Sequence, residues 1–504
     1  MYIFVDKLPI MRSFLRVLLP VICLALFPVK GRTQSMDELM GRLAELESRV
    51  MDEVDRFHRE VDKRYHELLG QPWEHTKEEA PNSSPFDKDV PVDPHAFDPS
   101  RDAVKGRVEI DSDFVEVESQ VKPRGSGEEF PGKAGLDDCE VEITVNGIEV
   151  TLRCPKTGSL KLGGTSEKEV ASAWAELASF PFDNLLRDLS RVREVLKMSD
   201  WSLVCAIDGV SEALYGTEDS PEAVLFQAYV LNRFGFLLSL GRSGDGALHK
   251  LLSVDMGLIG FPAYTIEGRD YYLFDKSAGS YLSTVRLGLN GERPLHIMMN
   301  TDELFYSDFS DKKHYVSQRY PEVSVEVASD KSRMAYYDGY PDYFSDGDVK
   351  TSFYYHAMIP LSDEVRDMVY PVLREKISGK SELEAVNMLL NFVQTAFNYE
   401  YDNVMWGKER YLYADEIWYY DFSDCEDRSI LFSRLVRDLV GLKVALVYWP
   451  GHLSCAVRFS SPVSGTYFNV DGDSYVSCDP TFIGAGVGAV MDAVKNLPAT
   501  LIML

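Results

Sequence analysis

Basic residues are scarce in this chain: 52 Lys and Arg stand against 80 Asp and Glu, a formal charge of −28 over 504 residues. Polyanions and anionic membrane surfaces are held by basic patches, so the composition argues against nucleic acid and against an acidic lipid surface as partners. Cysteine is scarce too, seven in all, and no two have Cys-x-x-Cys spacing. That removes both a zinc-site pattern and a disulfide-built scaffold; neither a metal nor an organic cofactor is called for. Long apolar runs are also missing. The stretch from Val17 to Val29 offers about 13 apolar positions, interrupted by Pro20 and Pro28, too few to cross a bilayer.

That short run has Arg12 and Arg16 before it and Lys30-Gly31-Arg32-Thr33-Gln34-Ser35 after it. It suits the core of a secretory signal peptide over 1–34, so an exported protein is expected: periplasmic, in the cell envelope or secreted. Cys23 follows Ile22 instead of a small residue and does not read as a lipid-anchor site. Of the six remaining cysteines, Cys139 and Cys154 flank a hairpin over 141–152 and are the natural candidates for a bridge in an oxidising compartment.

Apolar and aromatic residues, at 45% and 12%, are plentiful enough to fill the cores of two or three domains. Residues 35–70 open with the capping-box form Ser35-Met36-Asp37-Glu38 and read as one long amphipathic helix. Its apolar stripe, from Leu39 through Leu43, Leu46 and Val50 to Leu68, repeats every eleven residues, a coiled-coil-like pattern with little or slightly right-handed supercoil. Such a stripe either packs on its own protein or serves self-association or partner binding. Residues 71–137 are acidic, rich in Pro, Ser and Gly, and without periodicity; they read as a linker.

Residues 138–280 open with the hairpin, continue into helices from Thr165 and over 185–196, and end in what reads as a degenerate copy of the C-terminal part. Leu225-Phe226 and Gly235 match Leu431-Phe432 and Gly441 at an offset of 206, and Ile266-Glu267-Gly268 matches Val470-Asp471-Gly472 at 204. The copy has Asp219 where a nucleophile would stand, and His249 fits neither offset. The competing reading is chance recurrence of helix-then-hairpin units. Short alternating runs and turn signals make 281–372 a β-rich connector, in which Tyr336, Tyr337, Tyr340, Tyr343, Tyr354 and Tyr355 read as interdomain packing. Residues 373–504 form the last domain, entered through the capping box Ser381-Glu382-Leu383-Glu384.

Within it, Cys425 heads a helix in Asp424-Cys425-Glu426-Asp427-Arg428-Ser429, where unpaired backbone N–H groups and the helix dipole favour a thiolate. Its charged neighbours belong at a cleft, and the acidic ones oppose the thiolate. His452 heads a strand after Tyr448-Trp449-Pro450-Gly451, and Asp479 ends another in Cys478-Asp479-Pro480. Cysteine, histidine and aspartate in that order supply a nucleophile, a proton carrier and the carboxylate that orients it. Strand parity turns Cys455 and Cys478 away from this site. Trp406, Tyr411 and Trp418 are candidate side-chain donors for an oxyanion hole.

At these residues, with Leu435-Val436-Arg437, Gly441, Val470-Asp471-Gly472 and Thr481, the chain resembles the transglutaminase-like superfamily of papain-like cysteine enzymes, in particular those of Bacteroidetes envelopes. The resemblance covers about the last 130 residues well. It implies an α+β fold with a papain-like core, a helix bearing Cys425 packed on an antiparallel sheet, and a triad of Cys425, His452 and Asp479. It also implies a peptide or protein substrate attacked at an amide bond; peptidase, amidase and cross-linking activities are all open, with hydrolysis favoured. The alternative is a non-catalytic envelope protein that uses this fold for assembly or peptide binding.

Overall fold

Two sheets with helices packed on them organise the chain, an α+β arrangement. The computed structural model describes Lys63, Glu67, residues 70–86, Pro94, 106–117 and, from 130 onward, all but 131, 135, 157–159, 275–280 and 286–292. These belong to one unit, Lys63–Leu504. The expected signal segment, and the expected 35–70 helix apart from Lys63, Glu67 and Gly70, lie outside the described residues. Among the described residues no helix is long and apolar enough to cross a membrane.

Strands β1 (Glu74–Glu79), β2 (Arg107–Ile110) and β3 (Ser112–Val115) come first, inside the segment expected to be a linker. This corrects that expectation where 71–137 is described. β1 is polar throughout, and its pairing is supplied by strands far along the chain, which no local pattern announces. The hairpin β4 (Asp138–Val145) and β5 (Ile148–Pro155) follows, turning on Asn146-Gly147 with both φ positive, as a tight I′ turn requires. Cys139 and Cys154 face each other across it as free thiols.

Four helices come next: α1 (Glu167–Leu177), α2 (Asp183–Leu196), α3 (Asp200–Tyr215) and α4 (Pro221–Arg233). Ser166 and Glu169 close the capping box that starts α1. Then β6 (Leu238–Arg242), β7 (Leu248–Leu252), a short β8 (Gly257–Leu258), β9 (Ala263–Ile266), β10 (Arg269–Leu273) and β11 (Tyr281–Val285) follow. With β1 they close a barrel in the order β1-β11-β6-β7-β10-β9, leaving β8 outside it.

The connector is only partly β. It holds β12 (Lys313–Val316) and β13 (Ser324–Val327), then α5 (Lys331–Gly339), β14 (Tyr343–Phe344), α6 (Thr351–Met358) and α7 (Asp363–Ile377). Side-chain caps explain two of the helices: Asp330 accepts the Ser332 N–H at 2.9 Å and Ser362 the Val365 N–H at 3.4 Å. Helix α7 runs through position 373, where the last domain was expected to begin.

The last part contains α8 (Glu382–Ala396), β15 (Asn398–Tyr399), a short α9 (Asp402–Met405), β16 (Phe422–Ser423), α10 (Cys425–Leu439) and the strands β17 (Lys443–Trp449), β18 (His452–Arg458), β19 (Gly465–Val470), β20 (Asp473–Cys478) and β21 (Ala499–Met503). The five strands form an antiparallel core, and β2 and β3 add in parallel at its two edges, in the order β2-β19-β20-β18-β17-β21-β3. β2 and β3 thereby become the two edge strands of the sheet. One face, with Val444, Leu446, Leu453, Cys455, Val457 and Cys478, packs under α8 and α10. The other, with Ala445, Val447, Trp449, Ala456 and Phe468, is covered by Met491, Val494 and their neighbours.

Candidate active site

Helix α10 is tied down at its head. Asp427 accepts the Asp424 N–H at 3.2 Å through one oxygen and the Leu412 N–H at 2.8 Å through the other. Arg428 is fully buried, donating to the carbonyls of Gln394 (3.2 Å) and Phe397 (2.7 Å) and to the Ser423 hydroxyl (3.2 Å). It therefore fixes the turn before Cys425 through backbone oxygens and makes no ion pair with Glu426 or Asp427. Ser429 donates to Leu453 O at 3.0 Å and Cys455 Sγ to Ser429 O at 3.3 Å, so the helix lies along the Leu453–Cys455 face of β18.

His452 stands opposite Trp449 across the Pro450-Gly451 turn and is wholly buried. Its Nε2 meets Asp479 Oδ2 at 2.9 Å. The other oxygen of Asp479 accepts the Thr481 N–H (2.9 Å), the Thr481 hydroxyl (2.8 Å) and the Phe482 N–H (3.2 Å). Burial works against its charge, but His452 and these donors win and hold the carboxyl below its ordinary pKa. His452 Nδ1 is buried and has no hydrogen-bond partner.

Cys425 is brought less far. It is buried, 7% exposed, and its Sγ donates to Glu426 Oε2 at 3.1 Å; no hydrogen bond joins it to His452. Burial first, then Asp424, raises the thiol pKa well above its usual value, against the hydrogen bond to Glu426, so the thiol form is favoured in this arrangement. Parity supplies a reason for the separation. α10 packs on the Leu453–Cys455 face, whereas His452 shares the opposite face with Trp449, so sulfur and imidazole can meet only around the end of the sheet. Cys455 does alternate with His452 as expected, but it faces α10, the helix that carries Cys425, and Cys478 belongs to the same apolar cluster.

A small cavity opens beside the sulfur, lined among others by Phe86, Tyr399, Asp402, Glu409, Asp424 and Glu426. None of the three expected oxyanion donors lines it. Tyr411 OH is bonded to Ser84 Oγ at 2.7 Å, Trp418 is packed among Tyr315, Phe392 and Phe397, and Trp406 lies beneath Arg410. Asn403 and Tyr401, which do line it, were missed, as was Phe86 from the segment read as linker. Two overlapping groups of side chains have the spacing of metal ligands: Asp424, Cys425 and Glu426, and Asp402, Glu409, Asp424 and Glu426. The density of acids around Cys425 was visible in the sequence; that Asp402 and Glu409 join them depends on how the 400–422 segment folds back. Comparison of the chain with family models, with curated proteins and with solved structures finds no match.

Proposed function

We propose that this protein is an exported, thiol-dependent acyl-transfer enzyme acting at an amide bond of a peptide or protein. Its last part is read as a papain-like core, with 138–280 as a worn copy that lacks the chemistry. The observation that carries the proposal is the buried His452–Asp479 pair with the second ring nitrogen left unpartnered. A carboxylate on Nε2 leaves Nδ1 as the base, and a buried ring nitrogen without a partner is costly unless something uses it.

In the proposed reaction Sγ turns from Glu426 toward Nδ1 and gives it its proton. The sulfur then bonds to the substrate carbonyl carbon. The C–N bond breaks as the leaving amine takes the proton from Nδ1, leaving a thioester. Water, giving a proton to Nδ1, attacks that thioester and releases the acid and the thiol; an acceptor amine in place of water would give transfer. No residue of this scheme requires a cofactor. An electrophilic acyl probe should label Cys425 in the wild type and fail to label Cys425→Ala with the circular dichroism spectrum unchanged. Undiminished labelling of the variant would overturn the assignment.

A second reading has a specific observation in its favour. Phe86 stacks on Tyr448 (5.8 Å) and lines the cavity, and the Cys425 thiol is engaged by a carboxylate instead of the imidazole. These suit a non-catalytic envelope protein that uses the core for assembly or peptide binding. Wild-type protein that resists the probe even after Phe86→Ala opens the cavity would favour it.

A further inference from the structure

We propose that the cavity beside Cys425 binds a hard divalent cation of the calcium class, held by Asp402, Glu409, Asp424 and Glu426. One oxygen from each of the four lies within 4.8 Å of those of the others. A calcium ion bonded to oxygens at about 2.3–2.6 Å separates ligands on its opposite sides by about 5 Å. The four carboxylates therefore already stand at the spacing of a coordination shell.

Acidic residues gather on many surfaces without binding anything, but this group is not on the surface. Asp424 is 5% exposed and Glu426 0%, and both line the cavity. Asp424 Oδ1 and Glu426 Oε1 are buried with no hydrogen-bond partner. The nearby guanidinium groups are committed elsewhere: Arg410 to Glu416 at 2.6 Å and Asp338 at 3.2 Å, Arg428 to backbone carbonyls. Among the described residues no basic side chain pairs with Asp402, Asp424 or Glu426. Buried carboxylates without a counter-charge, each with one oxygen that no donor reaches, are costly to keep, and one bound cation supplies what both lack.

The donor set chooses the ion. Four carboxylate oxygens suit calcium, magnesium or manganese over softer metals, and a site built from four protein carboxylates suits calcium over magnesium, which usually keeps several waters and takes one or two carboxylates. Asp402 is already held in place by the Arg410 N–H, which donates to its Oδ2 at 2.6 Å. The Cys425 thiol sits beside this group as a donor to Glu426 and not as one of its four ligands. The inference stands apart from the catalytic proposal, since it uses no step of that reaction.

Full-length protein stripped with a chelator is titrated with calcium alone by calorimetry, and with terbium while following luminescence sensitised by Tyr399 and Tyr401. The expected result is saturable binding below about 1 mM, with calcium displacing terbium. Glu409→Gln and Asp402→Asn should each weaken it about tenfold or more, because affinity in such sites follows the number of charged ligands. Asp363→Asn on the exposed start of α7 should stay within about twofold of the wild type. Should Asp402→Asn misfold, Glu409→Gln at the half-buried rim decides the matter. Absence of saturable calcium binding, wild-type affinity in Glu409→Gln, or an equal loss of affinity in Asp363→Asn would each overturn the proposal.

Discussion

Helices α4 and α10 begin 204 residues apart and lead into the same succession of strands, yet their heads are made of opposite materials. Pro221 and Cys425, Leu248 and His452, Glu267 and Asp471, and Arg269 and Asp473 are each separated by that one interval. The glycines after the two helices, Gly235 and Gly441, both have φ of 78°, and both hairpin turns, Glu267-Gly268 and Asp471-Gly472, have positive φ at each residue. At the first head, Ser220 caps the helix by accepting the Ala223 N–H at 3.2 Å, proline occupies the first position, and Glu222 accepts the Leu162 N–H at 2.9 Å. Every local rule for starting a helix is obeyed there. At the second, Asp424, Cys425, Glu426, Asp427 and Arg428 are all buried, and two carboxylate oxygens lack a partner. A scaffold that folds well with serine and proline does not need that arrangement for stability, and broken local rules gather where a protein does its work. The first region closes into a barrel by taking β1 between β11 and β9, whereas the second keeps an open sheet and leaves a cavity at the helix head.

The sharpest way to break the comparison is at the strand that follows each helix. If the second unit carries chemistry, His452→Ala lowers the rate of probe acylation by about 10²–10⁴-fold. Its counterpart Leu248→Ala changes that rate little while lowering the melting temperature. Equal effects of the two variants on labelling would erase the distinction. Next in size is Arg428, whose replacement by Met strands the carbonyls of Gln394 and Phe397 and should cost about 3 kcal/mol or more in a denaturant titration. Val224, 204 positions earlier and also buried, should lose about 1–2 kcal/mol on truncation to Ala.

The approach to the second head also titrates. Burial raises the carboxyl of Asp415 from 3.8 to about 6, against the pull of Arg333 and its bonds to Ser362. Its folded pKa lies above its unfolded one, so between these values the folded state holds more protons than the unfolded chain. Stability from this group is present at low pH and is lost as pH rises through about 6, by at most about 3 kcal/mol. Melting temperature followed from pH 4 to 7 should show that slope in the wild type and a flatter one in Asp415→Asn.

Much of this was legible where local chemistry sets the structure. The sequence places strands over 444–449 and 452–459 with a Pro-Gly turn between them, and β17 and β18 are there; the capping box at Ser381 forms, and the helix expected from Thr165 starts at Glu167. A hairpin and a cap are decided by neighbours in sequence, so patterns reach them. β1 escaped because Glu74-His75-Thr76-Lys77-Glu78-Glu79 has no apolar face; Glu74 pairs with Thr284, more than 200 residues away. β2 and β3 escaped because they are four residues each and pair with the distant β19 and β21. Helices α5 to α7 escaped because short alternating runs and turn signals made that region read as β and its tyrosines as interdomain packing, although Asp330 and Ser362 stood as caps. In the site, His452 and Asp479 meet as their order and strand context led one to expect. Cys425 does not bond to them, because which face of the sheet a helix covers is a property of packing and leaves no mark in residue order.

The smallest expected effect gives the comparison its most direct test, since it asks one question of the same position in both heads. Ser220→Ala removes an ordinary cap and should cost about 1 kcal/mol. Asp424→Asn, 204 positions later, should do the reverse in the presence of chelator. It keeps a cap-forming side chain, but it removes a carboxyl whose ionised form is disfavoured by burial first and then by Glu426, Asp427 and Asp402, and which holds an oxygen without a donor. Relief of that repulsion and of the unpaired oxygen should raise stability by about 1 kcal/mol or more. With calcium added the sign should turn again, because the variant then lacks a ligand that the wild type uses. Thermal denaturation of the two variants with chelator and with calcium therefore separates a helix start built only for folding from one whose buried charge awaits a counter-ion; loss of stability in Asp424→Asn equal to that of Ser220→Ala under both conditions would make the two heads alike.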